Sequence, residues 1–358
     1  MAPQAKPSDA STDMERAPAF AEEIGRLLDD GLLVADHEGM VTTANEAAIR
    51  YLGEGVVGRP LRDVVAHEDM SGDLDVSLIG AAGQEFIFQP ESTVPRHFKV
   101  RVKQLQNGQI AALIMDMTLQ RNLERVRRDF VANVSHELRS PLTSLAGFIE
   151  TILSNDIQDR KTQIRFLRIM DEEAKRMSRL IDDLLSLSRV EVDEHILPTR
   201  TVPLIEVVTT VIDTLSDRAA RSDMTIKLLD HRPDKAASAI MYGFADEITE
   251  VFHNLIENAI KYGHDGSAIT LHVNAINDNS LSIAVENFGD MIAEKHLLRL
   301  TERFYRVDKA RSRQIGGTGL GLAIVKHIVN RHRGALLVQS LPDGCTTFTV
   351  EVPIIGGR

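Results

Sequence analysis

Hydrophobic positions follow two different periods along the chain, and the first part carries the shorter one. Between residues 20 and 117, apolar residues alternate or form short β-rich segments separated by turn sequences such as Asp36-His37-Glu38-Gly39. This pattern predicts strands, beginning with a hairpin, in a mixed α/β domain. Residues 1–19 contain little that could be buried, and we assign them no fold. The predicted strands of this part are 32–35, 40–43, 85–88, 97–103 and 109–116.

Between residues 118 and 192 the period lengthens to about 3.6 residues, which is typical of helices. Gly147 is the only glycine in this stretch. Two apolar stripes predict an antiparallel helical hairpin that turns near Asn155-Asp156. A lone hairpin leaves apolar edges uncovered, whereas two copies close a four-helix bundle, so we expect a homodimer. The stripes are Phe130, Val134, Leu138, Leu142, Leu145, Ile149 and Ile152, then Phe166, Met170, Ala174, Met177, Ile181, Leu184 and Leu187.

From residue 193 to 358 helical and alternating segments follow one another. This order predicts an α/β sandwich, with helices on one side of a largely antiparallel sheet. The fold class is therefore α+β, with a tail at 1–19 and three domains at 20–117, 118–192 and 193–358. The predicted helices of the last domain are 204–221, 245–262 and 322–333, and its strands are 225–229, 269–276, 281–286 and a pair around Pro342-Asp343-Gly344.

Composition narrows the class of protein. Of 358 residues, 43% are hydrophobic and 26% charged, which is ordinary for a globular chain, and the net charge of −11 argues against direct binding to nucleic acid. The one cysteine, Cys345, excludes an intrachain disulfide. No apolar stretch is long enough for a membrane span. We therefore expect a cytoplasmic protein, either with a cytoplasmic input or brought to the membrane by another protein.

The first candidate for chemistry lies in the segment Val134-Ser135-His136-Glu137-Leu138. His136 falls about 170° around the helix from the centre of the apolar stripe, so its imidazole faces solvent. The carboxylate of Glu137 can accept a proton from one ring nitrogen and leave the other more nucleophilic. Pro141 removes a helical hydrogen bond and predicts a bend just past the histidine.

The second candidate is the helix 245–262. Asn254, Asn258 and Lys261 share one face of it, away from the apolar face. Amide oxygens suit a hard cation such as Mg²⁺, and a lysine neutralises phosphate oxygens. A solvated polar stripe is the alternative interpretation.

The third candidate is the glycine loop 316–321, which follows the basic residues Arg306, Lys309, Arg311 and Arg313 and precedes a helix. Glycines let backbone N–H groups approach anionic oxygens, and a helix N-terminus favours negative charge. The spacing matches neither the P-loop nor the dinucleotide-binding motif. A flexible hinge remains the alternative.

In their order and spacing these elements resemble the sensor histidine kinases of two-component systems, over about two thirds of the chain. Segment 136–142 resembles their H box, 254–262 their N box, 287–292 their G1 box and 317–322 their G2 box. Phe304-Tyr305-Arg306 resembles part of their F box. Within the family, the segments around the F and G2 boxes look like the phosphate-regulon PhoR group.

The resemblance implies a function and a set of site residues. His136 would take the phosphoryl group from ATP with Glu137 as base and pass it to an aspartate of a response regulator, and phosphatase activity toward that regulator would involve Ser140. The 118–192 hairpin would be the dimerisation domain, and 193–358 a Bergerat-type ATP-binding domain in which Asn254 and Asn258 hold Mg²⁺. The other nucleotide-binding residues implied are Lys261, Tyr262, Asn287, Gly289, Arg306, Gly317, Thr318, Gly319, Leu320 and Gly321.

Residues 20–117 resemble a PAS sensor module, whose ligand the sequence does not identify. The resemblance rests on Leu28-Asp29-Asp30-Gly31-Leu32-Leu33-Val34, Asn45-Glu46-Ala47-Ala48 and Gly58-Arg59-Pro60-Leu61. Asp116-Met117-Thr118 resembles the junction that joins such modules to a helix.

Three positions depart from the family pattern. Asn287 replaces the Asp that accepts from the adenine amino group, Met291 replaces the second G1 glycine, and Ser140 replaces Thr or Asn. Two alternatives follow: a weakly active or non-catalytic nucleotide-binding scaffold, or a regulator dominated by phosphatase activity. An ATP-hydrolysing chaperone or topoisomerase-like machine is disfavoured, because such enzymes carry Glu where this chain has Asn254.

Overall fold

The computed structural model describes residues 28–65, 83–90, 95–154, 159–233, 239–308 and 317–355. The chain divides into two compact units, Met1–Val131 and Ala132–Arg358. The predicted tail at 1–19 and the predicted hairpin turn at Asn155-Asp156 lie outside the described residues. So do Lys309, Arg311, Arg313 and Gly316.

The first unit contains a five-stranded antiparallel sheet with strand order β2-β1-β5-β4-β3. The five strands predicted here are all present, because alternating side chains bury one face of each strand in a common core. The strands are β1 Gly31–Ala35, β2 Val41–Ala44, β3 Gln84–Phe88, β4 Phe98–Gln104 and β5 Ile110–Asp116, and the helices are α1 Glu46–Leu52 and α2 Leu61–Val64.

Asn45 connects the first strand to the first helix. Its side-chain oxygen accepts hydrogen bonds from the backbone N–H of Ala48 at 2.9 Å and of Leu32 at 2.8 Å. Its amide nitrogen donates to the carbonyl of Asp30 at 2.9 Å. One side chain thus caps α1 and holds the start of β1, which explains why Asn stands before Glu46-Ala47-Ala48.

Replacing Asn45 by alanine should destabilise the first unit by about 1–3 kcal/mol, because buried backbone groups lose their partners. Hydrogen exchange measured by mass spectrometry should be faster than in the wild type in segments 31–35 and 46–52, and it should be unchanged in segment 245–262. Asn107→Ala, in the exposed turn between β4 and β5, is the matched control. Equal exchange in the two variants would contradict this role of Asn45.

The predicted helical hairpin is confirmed in α3 Thr118–Leu153 and α4 Arg160–Asp193. Within the second unit, the rings of Phe148 and Phe166 lie 4.9 Å apart. Nearer the other end, Arg176 Nη2 lies 3.3 Å from Glu137 Oε2, so the helices run antiparallel. Apolar side chains nevertheless remain exposed along both helices, including Leu142, Ile149, Leu153, Leu167, Ile181 and Leu185.

The rest of the second unit is the predicted sandwich. Its five-stranded sheet has the order β11-β12-β10-β9-β7, and only the β7–β9 pair is parallel. Of the four helices described in this part, the three longer ones cover the face that carries Ile269, Leu271 and Val285. The helices are α5 Leu204–Ala220, α6 Ala245–Tyr262, the short α7 Glu294–Leu297 and α8 Gly321–Arg331, and the strands are β7 Thr225–Asp230, β9 Ala268–Asn277, β10 Ser280–Phe288, β11 Ala335–Ser340 and β12 Cys345–Pro353.

Two short strands were not predicted. Thr201–Pro203 (β6) pairs with Ile240–Tyr242 (β8) in a two-stranded sheet. Three residues are too few to show a period of two, so a long-range pairing of this kind leaves no readable pattern. Among the helices described, none is both long enough and apolar enough to cross a membrane.

Candidate functional site

His136 is exposed on α3, as predicted from its position on the helix. It borders an open concavity with Arg139, Ser140, Thr143 and Ser144. Pro141 is buried, and the helix continues through it to Leu153. The imidazole is therefore accessible, with small and polar side chains around it.

Glu137 faces two arginines. Its Oε2 lies 3.3 Å from Nη2 of Arg176 on α4 and 3.8 Å from Nη2 of Arg306. Arg306 is almost fully buried and also donates to the carbonyl oxygen of Gly317. The side chain next to the histidine is thus connected through Arg306 to the glycine loop.

The polar face of α6 is half-buried rather than solvated. Asn254 donates from Nδ2 to the carbonyl of Glu250 at 3.0 Å, and its side-chain oxygen lies toward Gly321 at the start of α8. Lys261 Nζ lies 3.3 Å from Glu257 Oε1, and Arg218 Nη1 lies 2.8 Å from the same oxygen. Burial alone would raise the pKa of Glu257, but Lys261 and Arg218 hold this pKa below its ordinary value.

The glycine loop passes very close to the segment that carries Arg306. Gly319 has a φ of +75° and its carbonyl accepts from the N–H of Phe304 at 2.8 Å. A Cβ at position 319 would lie 3.0 Å from the Cα of Phe304. Phe304 itself has a φ of +61°, an uncommon backbone conformation for an aromatic residue. Both the turn and the contact therefore require glycine at 319.

The start of α8 lies against Asn254. Leu320, which precedes the helix, is fully buried and anchors the loop, and its side chain makes no capping hydrogen bond to the first turn. A Cβ at Gly321 would come within 2.5 Å of the Asn254 side-chain oxygen. The uncapped N–H groups of α8 and the oxygen of Asn254 therefore face the same space.

Asn287 and Gly289 lie at the end of β10. Asn287 is buried and opposite Thr346 in the sheet. Gly289 pairs with Gly263 in an isolated bridge just past Tyr262, and its N–H donates to the carbonyl of Gly344 at 2.9 Å. The second unit thus brings the end of α6 next to the end of β10.

Sequence reasoning missed the side chains of α4 that reach this site. Thr318 Oγ1 donates to Asp183 Oδ2 at 2.6 Å, and Ser186 Oγ donates to Glu250 Oε1 at 2.6 Å. Burial raises the pKa of Asp183, whereas the Thr318 hydrogen bond and Lys261 lower it. In the sequence these residues read only as polar positions on an amphipathic helix, so no local signal could have identified them.

The arrangement fits a nucleoside triphosphate and a hard cation. Arg306, the Thr318 hydroxyl group and the N-terminus of α8 lie at the glycine loop, and Lys261 lies on the polar face of α6; these are groups that bind phosphate oxygens. The side-chain oxygen of Asn254, one turn before Asn258, supplies the donor chemistry that Mg²⁺ prefers. In the part of the chain that the structure describes, no cluster of three His, Cys, Asp or Glu residues could hold a metal.

Two family models match the chain. Residues 126–192 match the His Kinase A (phospho-acceptor) domain. Residues 243–355 match the histidine kinase-, DNA gyrase B- and HSP90-like ATPase family. The first range contains His136, and the second contains the Asn254 helix and the glycine loop.

Similar proteins agree with these matches. The phosphate regulon sensor protein PhoR of Pseudomonas aeruginosa is 34% identical over 338 residues, which cover 92% of this chain and 73% of that protein. The sensor protein kinase WalK of Staphylococcus epidermidis is 33% identical, and the match covers 97% of this chain but only 58% of that longer relative. WalK of Staphylococcus aureus is 32% identical, with 97% and 85% covered.

One solved structure resembles the fold over most of the chain. The histidine kinase ThkA, solved in complex with the response regulator protein TrrA, matches with a TM-score of 0.52 and 21% identity. The match covers 93% of this chain and 98% of that chain. At this identity the likeness concerns the fold alone.

Proposed function

We propose that this chain, which belongs to the sensor histidine kinases of two-component systems, uses ATP to phosphorylate its own His136. The observation that carries the proposal is the position of His136, which is exposed on α3 and adjacent to Glu137. Glu137 Oε2 lies 3.8 Å from Nη2 of Arg306, the arginine that contacts the glycine loop. The proposed phosphoacceptor and the proposed phosphate-binding cation thus belong to the same compact unit, which supports the proposal.

In the proposed reaction, a neutral ring nitrogen of His136 attacks the γ-phosphorus of ATP. A P–N bond forms, the bond between the γ-phosphorus and the β–γ bridging oxygen breaks, and ADP leaves with its electron pair. Glu137 accepts the proton from the other ring nitrogen, so the imidazole ring of the product is neutral and the negative charge stays on the phosphoryl oxygens. To do so, Glu137 must exchange its contacts with Arg306 and Arg176 for one with His136.

ATP would bind between α6 and the glycine loop. Lys261, Arg306, Thr318 and the backbone N–H groups from Gly317 to Gly321 would hold the phosphates, and Asn287 and Gly289 would receive the adenine beside Tyr262. Mg²⁺, held by the amide oxygens of Asn254 and Asn258, would neutralise charge on the phosphates. The half-burial of these groups supports this assignment, because it strengthens their electrostatic interactions.

The phosphoryl group on His136 would then pass to an aspartate of a response regulator. The concavity formed by Arg139, Ser140, Thr143 and Ser144 is open to such a partner. ThkA, the structural neighbour, forms a complex with a response regulator. In the reverse role, the Ser140 hydroxyl, which borders this concavity, would orient a water toward the phosphorylated partner.

The exposed apolar side chains of α3 and α4 support a homodimer. Leu142, Ile149, Leu153, Leu167 and Leu185 would form the core of a four-helix bundle, in which each hairpin covers the edge that the other leaves open. Residues 20–117 would be the sensor module of PAS type, which controls the kinase through the helix that begins at Thr118.

Incubation of the purified protein with MgATP tests the proposal. Label from [γ-³²P]ATP should appear on the protein as a phosphoramidate, stable in base and lost in acid, and [α-³²P]ATP should leave none. Acid-stable label would indicate a hydroxyl acceptor and contradict the proposal. Nucleotide binding without label would favour the scaffold or the phosphatase-dominated regulator instead.

A further inference from the structure

One face of α4 lies against the nucleotide-binding part of the same unit. Leu180, Leu187 and Val190 are buried there. Around them, polar side chains of α4 and of its C-cap residue reach across: Asp183 to Thr318, Ser186 to Glu250, Glu191 to Arg303, and the C-cap Glu194 to His327 and Asn330. This face of α4, which we call the docked face, repeats every three or four residues from 180 to 194. Leu187, which the sequence places in the stripe of the bundle, is buried here within one chain and is therefore not available to a second copy.

Within the docked face, Asp183 contacts the glycine loop itself. Thr318 has one hydroxyl proton, and at 2.6 Å it is donated to Asp183 Oδ2. The same hydroxyl therefore cannot donate to a phosphate oxygen at the same time. Arg306, the other loop contact, lies 3.8 Å from Glu137.

The charges point the same way. Asp183 is largely buried. Burial raises the pKa of the nearby Glu250 carboxyl, and repulsion from the charge of Asp183 raises this pKa further. A nucleoside triphosphate bound at Thr318 would add negative charge beside the poorly solvated carboxylate of Asp183. Such repulsion is only weakly screened away from bulk water.

We propose that Asp183 takes the place of a nucleotide phosphate at Thr318, so that the docked face of α4 and MgATP compete for the glycine loop. The inference rests on the proposed function and adds its regulation. ATP binds when α4 leaves the loop, and a signal that shifts α4 changes the affinity of the site for ATP without altering a nucleotide-binding residue. Release also frees Arg306 from Glu137, the proposed base.

The test compares Asp183→Asn with Asp182→Asn in the full chain. The two variants lose the same charge at adjacent positions, but Asp182 is exposed and outside the docked face. Displacement of a fluorescent ATP analogue should show a Kd for MgATP about tenfold lower in Asp183→Asn, as expected for the loss of one charged competitor. Asp182→Asn should keep the wild-type Kd.

Two further measurements separate competition for phosphate from a general change. Adenosine, which has no phosphate, should bind wild type and Asp183→Asn equally. Ser186→Ala weakens the docked face without touching the loop, so it should also tighten MgATP binding, and it replaces Asp183→Asn should that variant not fold. Equal MgATP affinity in wild type and the docked-face variants overturns the inference alone, as does tightening of adenosine. No MgATP binding by any of these proteins overturns the proposed function together with the inference.

Discussion

Replacing His136 by glutamine is expected to reduce the acid-labile label from [γ-³²P]ATP to background. Glutamine keeps a polar side chain of similar reach on α3, but its amide nitrogen has no lone pair available for attack on phosphorus. His136 is exposed and outside the glycine loop, so the Kd for MgATP should stay within about twofold of wild type.

The control for this variant is His37→Gln. His37 is also an exposed histidine, in the turn between β1 and β2, and its loss should leave the label unchanged. Acid-labile label that persists in His136→Gln would mean that another histidine is the acceptor. A parallel loss of MgATP binding would show that His136 acts on the nucleotide site and not as the acceptor.

Replacing Gly319 by alanine should raise the Kd for MgATP by about 10- to 100-fold and slow the labelling of His136 accordingly. Two effects add at this position. A residue with a Cβ is strained at a φ of +75°, and the new Cβ would lie 3.0 Å from both the Cα and the carbonyl carbon of Phe304. Backbone atoms cannot rotate away as a side chain can, so the loop and Arg306 must move.

Gly108→Ala separates the two effects. Gly108 also has a positive φ, of +84°, but its Cβ would meet nothing within 4 Å, and it lies in the first unit. This variant should lose some stability of that unit and bind MgATP normally. An unchanged Kd in Gly319→Ala would show that the loop does not hold the phosphates.

Much of the fold was predictable because its signals are local. The period of two in residues 20–117 and the period of 3.6 in residues 118–192 arise from which side chains one strand or one helix buries, and the described residues of both segments form the strands and helices that these periods predict. The range predicted for α6, 245–262, matches Ala245–Tyr262. The exposure of His136 was predictable because its position in the sequence fixes its angle on the helix, opposite the apolar stripe.

The contacts that regulate access to the site could not be predicted. Asp183 and Thr318 are separated by 135 positions, and nothing near either residue marks its partner. The pairing of β6 with β8 is equally silent, because each strand is only three residues long. Such contacts depend on how completed helices and strands pack together.

The amino-acid sequence alone therefore specifies most of the helices and strands, the order of the motifs and the residue types available for phosphoryl transfer. Which of those residues contact one another depends on the tertiary structure, in which Glu137 lies near Arg306 and Asp183 accepts a hydrogen bond from Thr318. The physical reason is that a helix specifies the direction of its side chains, whereas their partners come from burying α4 against a surface built by distant parts of the chain.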